Sequence, residues 1–592
     1  MSTAILTGPR VASSPIEGDL RQLGFEVVTA EDAASLAGRL RAVPAAEPVA
    51  VVDPRFVGHV HALRLGLTDP RFDASALPGA VSVRPAARAA LVRAVAENGN
   101  GDEGGEGETL ADRLAARMDK DGVPVHRPEL GVLVATVPAD APGRAAAAAA
   151  VAAVDDEAVR LRSAVKSRDG FFTTFFISPY SRYIARWCAR RGLTPNQVTT
   201  ASLLVALIAA GCAATGTRPG FVAAGALLLT SFVLDCTDGQ LARYSLQYST
   251  LGAWLDATFD RAKEYAYYAG LALGAARGGD DVWALALGAM VLQTCRHVVD
   301  FAFAEADHDA QAGAAVLSRK LDRVGWTVWL RRMIVLPIGE RWALIAVLTA
   351  VTTPRITLAV LIVASGLAAC YTTVGRVLRS ARRRTPSGAA AARALADLAD
   401  TGPLAEGLTR LFRGRGVPAA ALLGAAVMIA TSLLAPAGSA WPVAAACCYA
   451  VTSALAVSRP LKGALDWIVP PVFRAAEYTT ILVLAAVSDV NGALPAAFGL
   501  VAAVAYHHYD TVYRIRGGAG APPRRLVRAA GGHEGRTLLV TAAAAALAHD
   551  TGFTVALTVL AVALAVVVLT ESIGFWVSSQ APAVHDETGG PA

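Results

Sequence analysis

Two long apolar runs of this chain carry paired carboxylates at their ends, and that placement constrains the fold more than any other feature. FVAAGALLLTSFVL runs into Asp235 and Asp238, while Asp256 and Asp260 lead into AKEYAYYAGLALGAA. Residues three or four apart share one face of a helix, so each pair points one way and the two pairs can form a four-carboxylate pocket. Ionised carboxylates beside an apolar core lose hydration and repel one another, so such a cluster calls for cations held between them. Hard oxygen ligands with no Cys/His set favour Mg²⁺ or Mn²⁺ over zinc. The plainer alternative is a set of aspartates that only mark helix ends.

With 592 residues, 54% hydrophobic and 17% charged, the chain is too apolar for an ordinary soluble protein and reads as a polytopic membrane protein. Residues 1–160 contain no apolar run of about 18 residues and are expected to form a soluble domain. The β-branched runs TAILT, FEVVT, VAVVD and GVLVATV alternate with the helical patterns EDAASLAGRLRAV and AARAALVRAVA. That alternation predicts a small α/β domain with a largely parallel sheet. MSTAILTGPR lacks a basic start followed by an apolar core, so the domain is expected to stay in the cytoplasm. The acidic, Gly-rich stretch from Asn98 to Glu108 cannot pack and is expected to be disordered. The seven cysteines form no CxxC motif and read as small buried hydrophobes rather than disulfides or metal ligands. No nucleic-acid partner is expected.

Asp235, Asp238, Gly239, Ala242, Arg243, Gly252, Asp256 and Asp260 stand at every spacing of the signature of the CDP-alcohol phosphotransferase (CDP-alcohol phosphatidyltransferase) family, which this stretch resembles. The resemblance implies a six-helix membrane enzyme that displaces CMP from a CDP-alcohol with the hydroxyl of a second alcohol. It implies that the first three aspartates bind a pair of metal ions, that Asp260 closes the metal site, and that Asp260 is the base. It implies donor contacts from Asp238, Gly239, Ala242, Arg243 and Gly252. Gly239, Ala242 and Gly252 are small where a nucleotide would approach a helix closely, and Arg243 is a fork-shaped phosphate donor. TPNQVT at 194–199 resembles the turn that opens the first spanning helix of the family, which makes Asn196 a nucleotide-contact candidate. The order of the domains resembles bifunctional enzymes that make CDP-inositol and join it to inositol phosphate. However, LTGPRVASSP lacks their phosphate loop, so residues 1–160 are expected to be a degenerate nucleotidyltransferase-like domain, structural or regulatory rather than catalytic.

An Ala-rich helix is expected from Pro142 to Lys166. Over residues 161–192, Phe171, Phe172, Phe175, Phe176, Tyr183 and Trp187 alternate with Arg182, Arg186, Arg190 and Arg191, the pattern of an amphipathic juxtamembrane segment on an anionic lipid surface. Six spans are expected within a membrane domain of 193–384, near 198–215, 221–240, 256–275, 282–303, 342–354 and 356–375. Arginine-rich links, among them SRKLDRVGWTVWLRR and RVLRSARRR, put the aspartates at the cytoplasmic face of the plasma membrane. A linker (385–416) leads to a C-terminal membrane domain (417–592) with six more expected spans, near 417–435, 441–457, 472–488, 493–509, 536–549 and 553–576.

The two membrane halves share a faint internal repeat: DRAKEYAYYAGLAL from Asp260 lies over FRAAEYTTILVLAA from Phe473, and RHVVDF from Arg296 over HHYDTV from His507. In this register Asp256 becomes Val469 and Asp260 becomes Phe473. The region from residue 400 onward is therefore expected to be a degenerate, metal-free second copy of the transferase fold.

The acceptor stays open. Arg296, His297 and Asp300 are polar at helical spacing and are expected to face the cavity, and Arg376 could hold an acceptor phosphate or simply mark topology. The expected donor is a CDP-alcohol of the CDP-diacylglycerol kind, and the acceptor a polyol or polyol phosphate. Membrane lipids and a second copy of the chain are the other partners considered. Three function classes follow: an active phosphotransferase of phospholipid synthesis, a bifunctional enzyme using CDP-inositol and inositol phosphate, and a non-catalytic membrane scaffold or transporter.

Overall fold

The computed structural model describes residues 2–578 apart from 10, 12, 13, 46, 99–107, 167–168, 322–334, 383–385, 413–416 and 548–549. It divides into two compact units, Met1–Val165 with Leu241–Tyr248, and Lys166–Gln240 with Ser249–Ala592. The expected disorder of Asn98–Glu108 and most of the link at 318–332 fall outside the described residues.

In the first unit a five-stranded sheet has the order β2-β1-β3-β6-β5, formed by β1 (Ser2–Thr7), β2 (Phe25–Ala30), β3 (Val49–Val52), β5 (Ala74–Leu77) and β6 (Ala80–Val83). β1 pairs in parallel with β2 and β3, but β6 runs antiparallel to both β3 and β5, so the sheet is mixed rather than largely parallel. The source of the difference is the hairpin ASALPGAVSV, whose small residues hide its alternation. Its turn places Gly79 at φ +77°, a conformation glycine adopts without a Cβ penalty. GVLVATV supplies only Ala135–Thr136 (β7), paired with Val57–Gly58 (β4) in a separate two-stranded sheet.

The central strands are buried on both faces. Ile5, Val49 and Val51 pack on one side with α2 (Ala33–Ala42), α4 (Arg88–Asn98) and α5 (Leu110–Lys120). Ala4, Leu6, Ala50 and Val52 pack on the other with α1 (Ile16–Gln22) and α3 (Val60–Leu67). This period-two division is what a strand between two helical layers requires. The helix expected at 142–166 is two helices, α6 (Ala141–Ala152) and α7 (Asp156–Ser163). Asp155 accepts from the backbone N–H of Ala158 and so starts a new helix where the alanine run would have continued.

The second unit is helical. A π-helical turn (Thr173–Ile177) leads into α8 (Ser178–Arg190), which buries Ser178, Ser181, Ala185 and Cys188 and leaves Tyr180, Tyr183 and Trp187 exposed. The arginines lie along these rings: Arg182 and Arg186 over Tyr183, Arg191 over Trp187. The apolar stretches that follow are helices α9 (Pro195–Ala214), α10 (Arg218–Ser245), α11 (Thr250–Arg277), α12 (Trp283–Leu321), α13 (Ile338–Val351) and α14 (Pro354–Ala381). After the short α15 (Ala389–Leu398) and α16 (Pro403–Thr409) come α17 (Ala419–Leu434), α18 (Trp441–Val457), α19 (Val469–Val487) and α20 (Ala493–Arg516). The chain closes with α21 (Arg524–Ala529), α22 (Gly532–Leu547) and α23 (Gly552–Ser578).

Every expected span is helical, but among the described residues only five segments are long and apolar enough to cross a membrane: α9, α10, α14, Asp466–Val487 and α23. The count of six plus six is therefore not reached by length and composition. α13, α17, α18 and α22 are shorter than 18 residues, while α11, α12 and α20 carry charged residues within their apolar stretches. Of the cysteines only Cys188 is buried, while Cys370, Cys447 and Cys448 lie on outer helix faces. Burial was expected for all seven; the outward faces are themselves apolar, so hydrophobicity alone did not distinguish them.

Helices α9 and α11 carry much of the candidate site and meet through glycine. A Cβ at Gly270 would lie 2.4 Å from the Ala210 carbonyl oxygen, and one at Gly274 would lie 2.1 Å from that of Ala213. Close backbone approach through small residues is how apolar helices associate where no hydrophobic drive separates them from lipid. Gly274→Val should force the pair apart at a cost of about 1–3 kcal/mol or more. The check is the yield of monodisperse, detergent-solubilised protein and its melting temperature, both of which should fall.

Candidate active site

The acids come from two helix ends. Thr194 caps α9 in a reciprocal pair with Gln197, with Pro195 in the first turn, and this sets Asn196 at the mouth of the helix. Ser249 caps α11 by accepting from Gly252 N–H. A Cβ at Gly252 would sit 2.6 Å from Asn196 Oδ1, so Gly252 brings these two helix starts together.

Asp235 and Asp238 on α10 and Asp256 on α11 each offer a carboxylate oxygen, and these atoms lie within 4.8 Å of one another. Asp238 is buried, Asp235 half-buried and Asp256 exposed, so the cluster opens outward at Asp256. Thr199 on α9 donates its hydroxyl to Asp238 at 2.5 Å and thereby fixes one carboxylate rotamer. Asp260 lies outside this group of three and accepts from Lys263 Nζ at 3.4 Å. The structure thus joins three of the four aspartates as potential ligands and ties the fourth to a lysine.

Lys263 is the site residue that the spacing argument missed. Its ammonium is fully buried and ion-paired to Asp235 as well as Asp260. The available signal was a lysine one turn beyond Asp260 in an otherwise apolar helix, where an ionised side chain needs a partner.

The remaining candidates divide. Ala242 and Arg243, with the rest of Leu241–Tyr248, belong to the first unit. There Arg243 Nε donates to the Ala164 carbonyl at 2.6 Å, and Arg64 donates to the carbonyls of Tyr244 and Ser245 at the C-terminal end of α10. A guanidinium on the last carbonyls of a helix satisfies them and complements the negative end of its dipole. Gly239 is half-buried one residue after Asp238.

The expected acceptor residues do not present open charge together. Arg376 is ion-paired to Asp300, and His297 contacts Arg261, Gln293 and Tyr509. Arg296 donates one terminal nitrogen to the Val335 carbonyl, while Nη1 is buried with no partner among the described residues.

A second polar layer lies next to the acids. Glu264 accepts from Arg261 Nη1 at 3.1 Å, from Arg341 Nη2 at 3.1 Å and from Tyr268 at 2.5 Å, and its Oε1 lies 2.9 Å from Arg341 Nε. Here two guanidiniums offset one carboxylate with a positive charge to spare, whereas the aspartate cluster has more negative than positive charge.

A bundle of apolar helices with clustered carboxylates at its helix ends defines a membrane-embedded protein with a site suited to hard cations and phosphate. Residues 192–371 match the family model described as CDP-alcohol phosphatidyltransferase, and the chain carries a domain of that family. Residues 389–592 match a second model, described as a family of unknown function (DUF5941). Archaetidylinositol phosphate synthase of Pyrococcus horikoshii is 31% identical over 113 residues, which are 19% of this chain and 58% of the relative. Phosphatidylinositol phosphate synthase of Mycolicibacterium smegmatis is 32% identical over 145 residues, 24% of this chain and 64% of the relative. A bifunctional IPC transferase and DIPP synthase of Aquifex aeolicus is 29% identical over 114 residues, 19% of this chain and 26% of the relative. The chain thus spans less than two thirds of the length of each of these curated relatives.

Lys263 is the one protein cation paired with both Asp235 and Asp260 among the described contacts. Lys263→Met should make the fold lean more on an added cation. In melting experiments the rise in Tm on adding Mg²⁺ should be larger for this variant than for the wild type, and chelator should abolish the difference.

Proposed function

We propose that the protein is a membrane CDP-alcohol phosphotransferase of phospholipid synthesis. The observation that carries this reading is the convergence of Asp235, Asp238 and Asp256 beside Asp260. The donor set, three carboxylates with no nitrogen or sulfur ligand, suits Mg²⁺ or Mn²⁺. Two such ions held by Asp235, Asp238 and Asp256 would offset the charge of the donor pyrophosphate and of departing CMP.

The chain's own residues do the rest. Asn196 and Gly252, which meet where two helices start, are the residues offered to the cytidine half of a donor, with the small Gly239 next to Asp238. Asp260 takes the proton of the acceptor hydroxyl. The hydroxyl oxygen bonds to the phosphorus that bears the donor's alcohol, the bond from that phosphorus to the CMP oxygen breaks, and CMP leaves with the electron pair. Lys263, paired to Asp260, is the positive charge that favours the carboxylate form in which this residue acts as a base.

The names of the relatives favour a CDP-diacylglycerol-type donor and an acceptor of the inositol phosphate class. Buried Arg296 Nη1, unpartnered among the described residues, is the group best suited to the acceptor phosphate. Arg376 would join it only by leaving Asp300. The arginine-rich segments favour a site and an N-terminal unit on the cytoplasmic side of the plasma membrane.

The test is release of CMP from a panel of CDP-alcohols with inositol phosphate, glycerol phosphate and inositol as acceptors, in Mg²⁺ and in chelator. Turnover that requires the divalent ion is expected, and no release from any donor would remove the proposal. Asp260→Asn should lower kcat by about 10²- to 10⁴-fold, the usual loss for a general base. Donor affinity by calorimetry should change far less. Asp256→Asn should lose both turnover and Mn²⁺ binding.

A further inference from the structure

The C-terminal half contains a polar group that repeats the one beside the candidate site. Glu264 Oε2 accepts from Arg261 Nη1 at 3.1 Å, three residues earlier on the same helix, and Glu264 Oε1 lies 2.9 Å from Arg341 Nε. Glu477 Oε2 accepts from Arg474 Nη1 at 2.8 Å, again three residues earlier, and Glu477 Oε1 lies 2.6 Å from Arg536 Nε. The third contact matches too: Arg341 Nη2 reaches Glu264 Oε2 at 3.1 Å, and Arg536 Nη2 reaches Glu477 Oε2 at 3.2 Å. The two triads correspond atom for atom, and their first two members lie in RAKEY (261–265) and RAAEY (474–478). In each case the third member sits in the first turns of a shorter helix that follows one long helix, α13 next after α12 among the described residues, and α22 after α20 and the six-residue α21.

Helix packing repeats with them. α9 packs on α11, α11 on α12, α12 on α14 and α13 on α14; in the same way α17 packs on α19, α19 on α20, α20 on α23 and α22 on α23. Contacts across the halves are reciprocal. α12 packs on α19, its counterpart contact being α11 on α20, and α12 also packs on α20, its own counterpart. That reciprocity is the pattern of an isologous, two-fold interface, here within one chain.

What differs is the site. In the shared register Asp256, Asp260 and Lys263 correspond to Val469, Phe473 and Ala476, all buried. Phe473 is stacked on His533, with ring centroids 4.1 Å apart. No acid occurs on α18, the helix preceding them in the position of α10. The acids and the lysine that pairs with them are replaced together by apolar groups. Asp400 instead joins the second triad, accepting from Arg474 at 3.1 Å and Arg536 at 2.7 Å, so that this polar core is closed by protein groups alone.

One residue of the second half reaches the active half's second layer. Tyr509 on α20 shares a short hydrogen bond with His297, and its ring lies 5.7 Å from the guanidinium of Arg261. Arg261 follows Asp260 directly and is 3.4 Å from His297. We infer that residues 389–592 are a metal-free second copy of the transferase fold, serving as an internal partner subunit, and that Tyr509 is the positioning residue through which it braces the Asp260 end of α11.

The functional part rests on the phosphotransferase reading, so two readouts separate the failures. Mn²⁺ binding by the full-length protein needs no turnover. The Asp238→Asn/Asp256→Asn double variant should lose all tight Mn²⁺, and a stoichiometric tight ion retained by that variant would overturn the metal-free assignment. In the CMP-release assay Tyr509→Phe, which keeps the ring and removes the hydroxyl, should lower kcat by about 10-fold, as expected for groups that orient a reacting shell. The KM for the donor and the melting temperature should stay near wild type, which a merely structural role would not produce. Wild-type kcat in Tyr509→Phe would overturn the positioning role. Absence of CMP release by the wild type itself would instead remove the phosphotransferase reading and with it the role of Tyr509, leaving the second copy to stand or fall on the Mn²⁺ result.

Discussion

Repulsion among carboxylates in an apolar bundle is the constraint on which the rest of this structure depends. Asp235, Asp238 and Asp256 bring ligand atoms within 4.8 Å of one another, at a distance where like charges in a medium poorer than water repel strongly. Three arrangements make the cluster tolerable. It opens to the exterior at Asp256, the Thr199 hydroxyl stabilises the buried Asp238, and Lys263 supplies a positive charge to Asp235 and Asp260. What remains is a deficit of positive charge on one side only. A site left electrostatically incomplete in this way is prepared for a cationic or metal-bound ligand, whereas a balanced one is not.

The Arg261–Glu264–Arg341 group shows the opposite case, a carboxylate fully engaged by protein cations. Its carboxylate takes donors from two guanidiniums and a tyrosine, and no oxygen of it is left over for a ligand. Removing one partner of such a buried pair typically costs about 3–5 kcal/mol, because the other charge is stranded. The triad therefore locks α11 to α13 and holds Asp260 at a fixed rotation about the helix axis. The site's reactivity and the bundle's rigidity are carried by adjacent polar layers with opposite charge logic.

Legibility in the sequence follows the same division. The aspartate cluster was legible because helical spacing alone puts Asp235 with Asp238 and Asp256 with Asp260 on common faces of two consecutive helices. Lys263 and Glu264 escaped that reading, since their partners Asp235 and Arg341 are 28 and 77 residues away and only tertiary packing brings them together. In the N-terminal unit the strands with β-branched residues were visible, but the hairpin at 74–83 was not. Its alanines and serines carry little hydrophobic contrast, and it is this hairpin that makes the sheet mixed. The break between α6 and α7 lay in one side chain, Asp155, whose capping hydrogen bond outweighs the alanines' preference to continue. The acceptor residues were placed by helical spacing alone, and spacing does not reveal that Arg376 is already committed to Asp300.

The same electrostatics explains which features the C-terminal half retains. A cluster of aspartates with no cation costs stability, so a copy without metal chemistry has no physical reason to keep it, and once the acids are gone a buried lysine at the next turn would itself be unpaired. Val469, Phe473 and Ala476 satisfy both conditions at once. The triad is under the opposite pressure, because losing any one member strands the others. Two arginines against one glutamate still leave one positive charge over. In the active half Arg261 stands next to Asp260, where the surrounding charge is negative; in the other half Asp400 supplies the missing carboxylate directly to Arg474 and Arg536. A chain that abandons the site but keeps the bundle therefore arrives at this pattern: apolar groups where the ligands stood, and a closed salt-bridge network beside them.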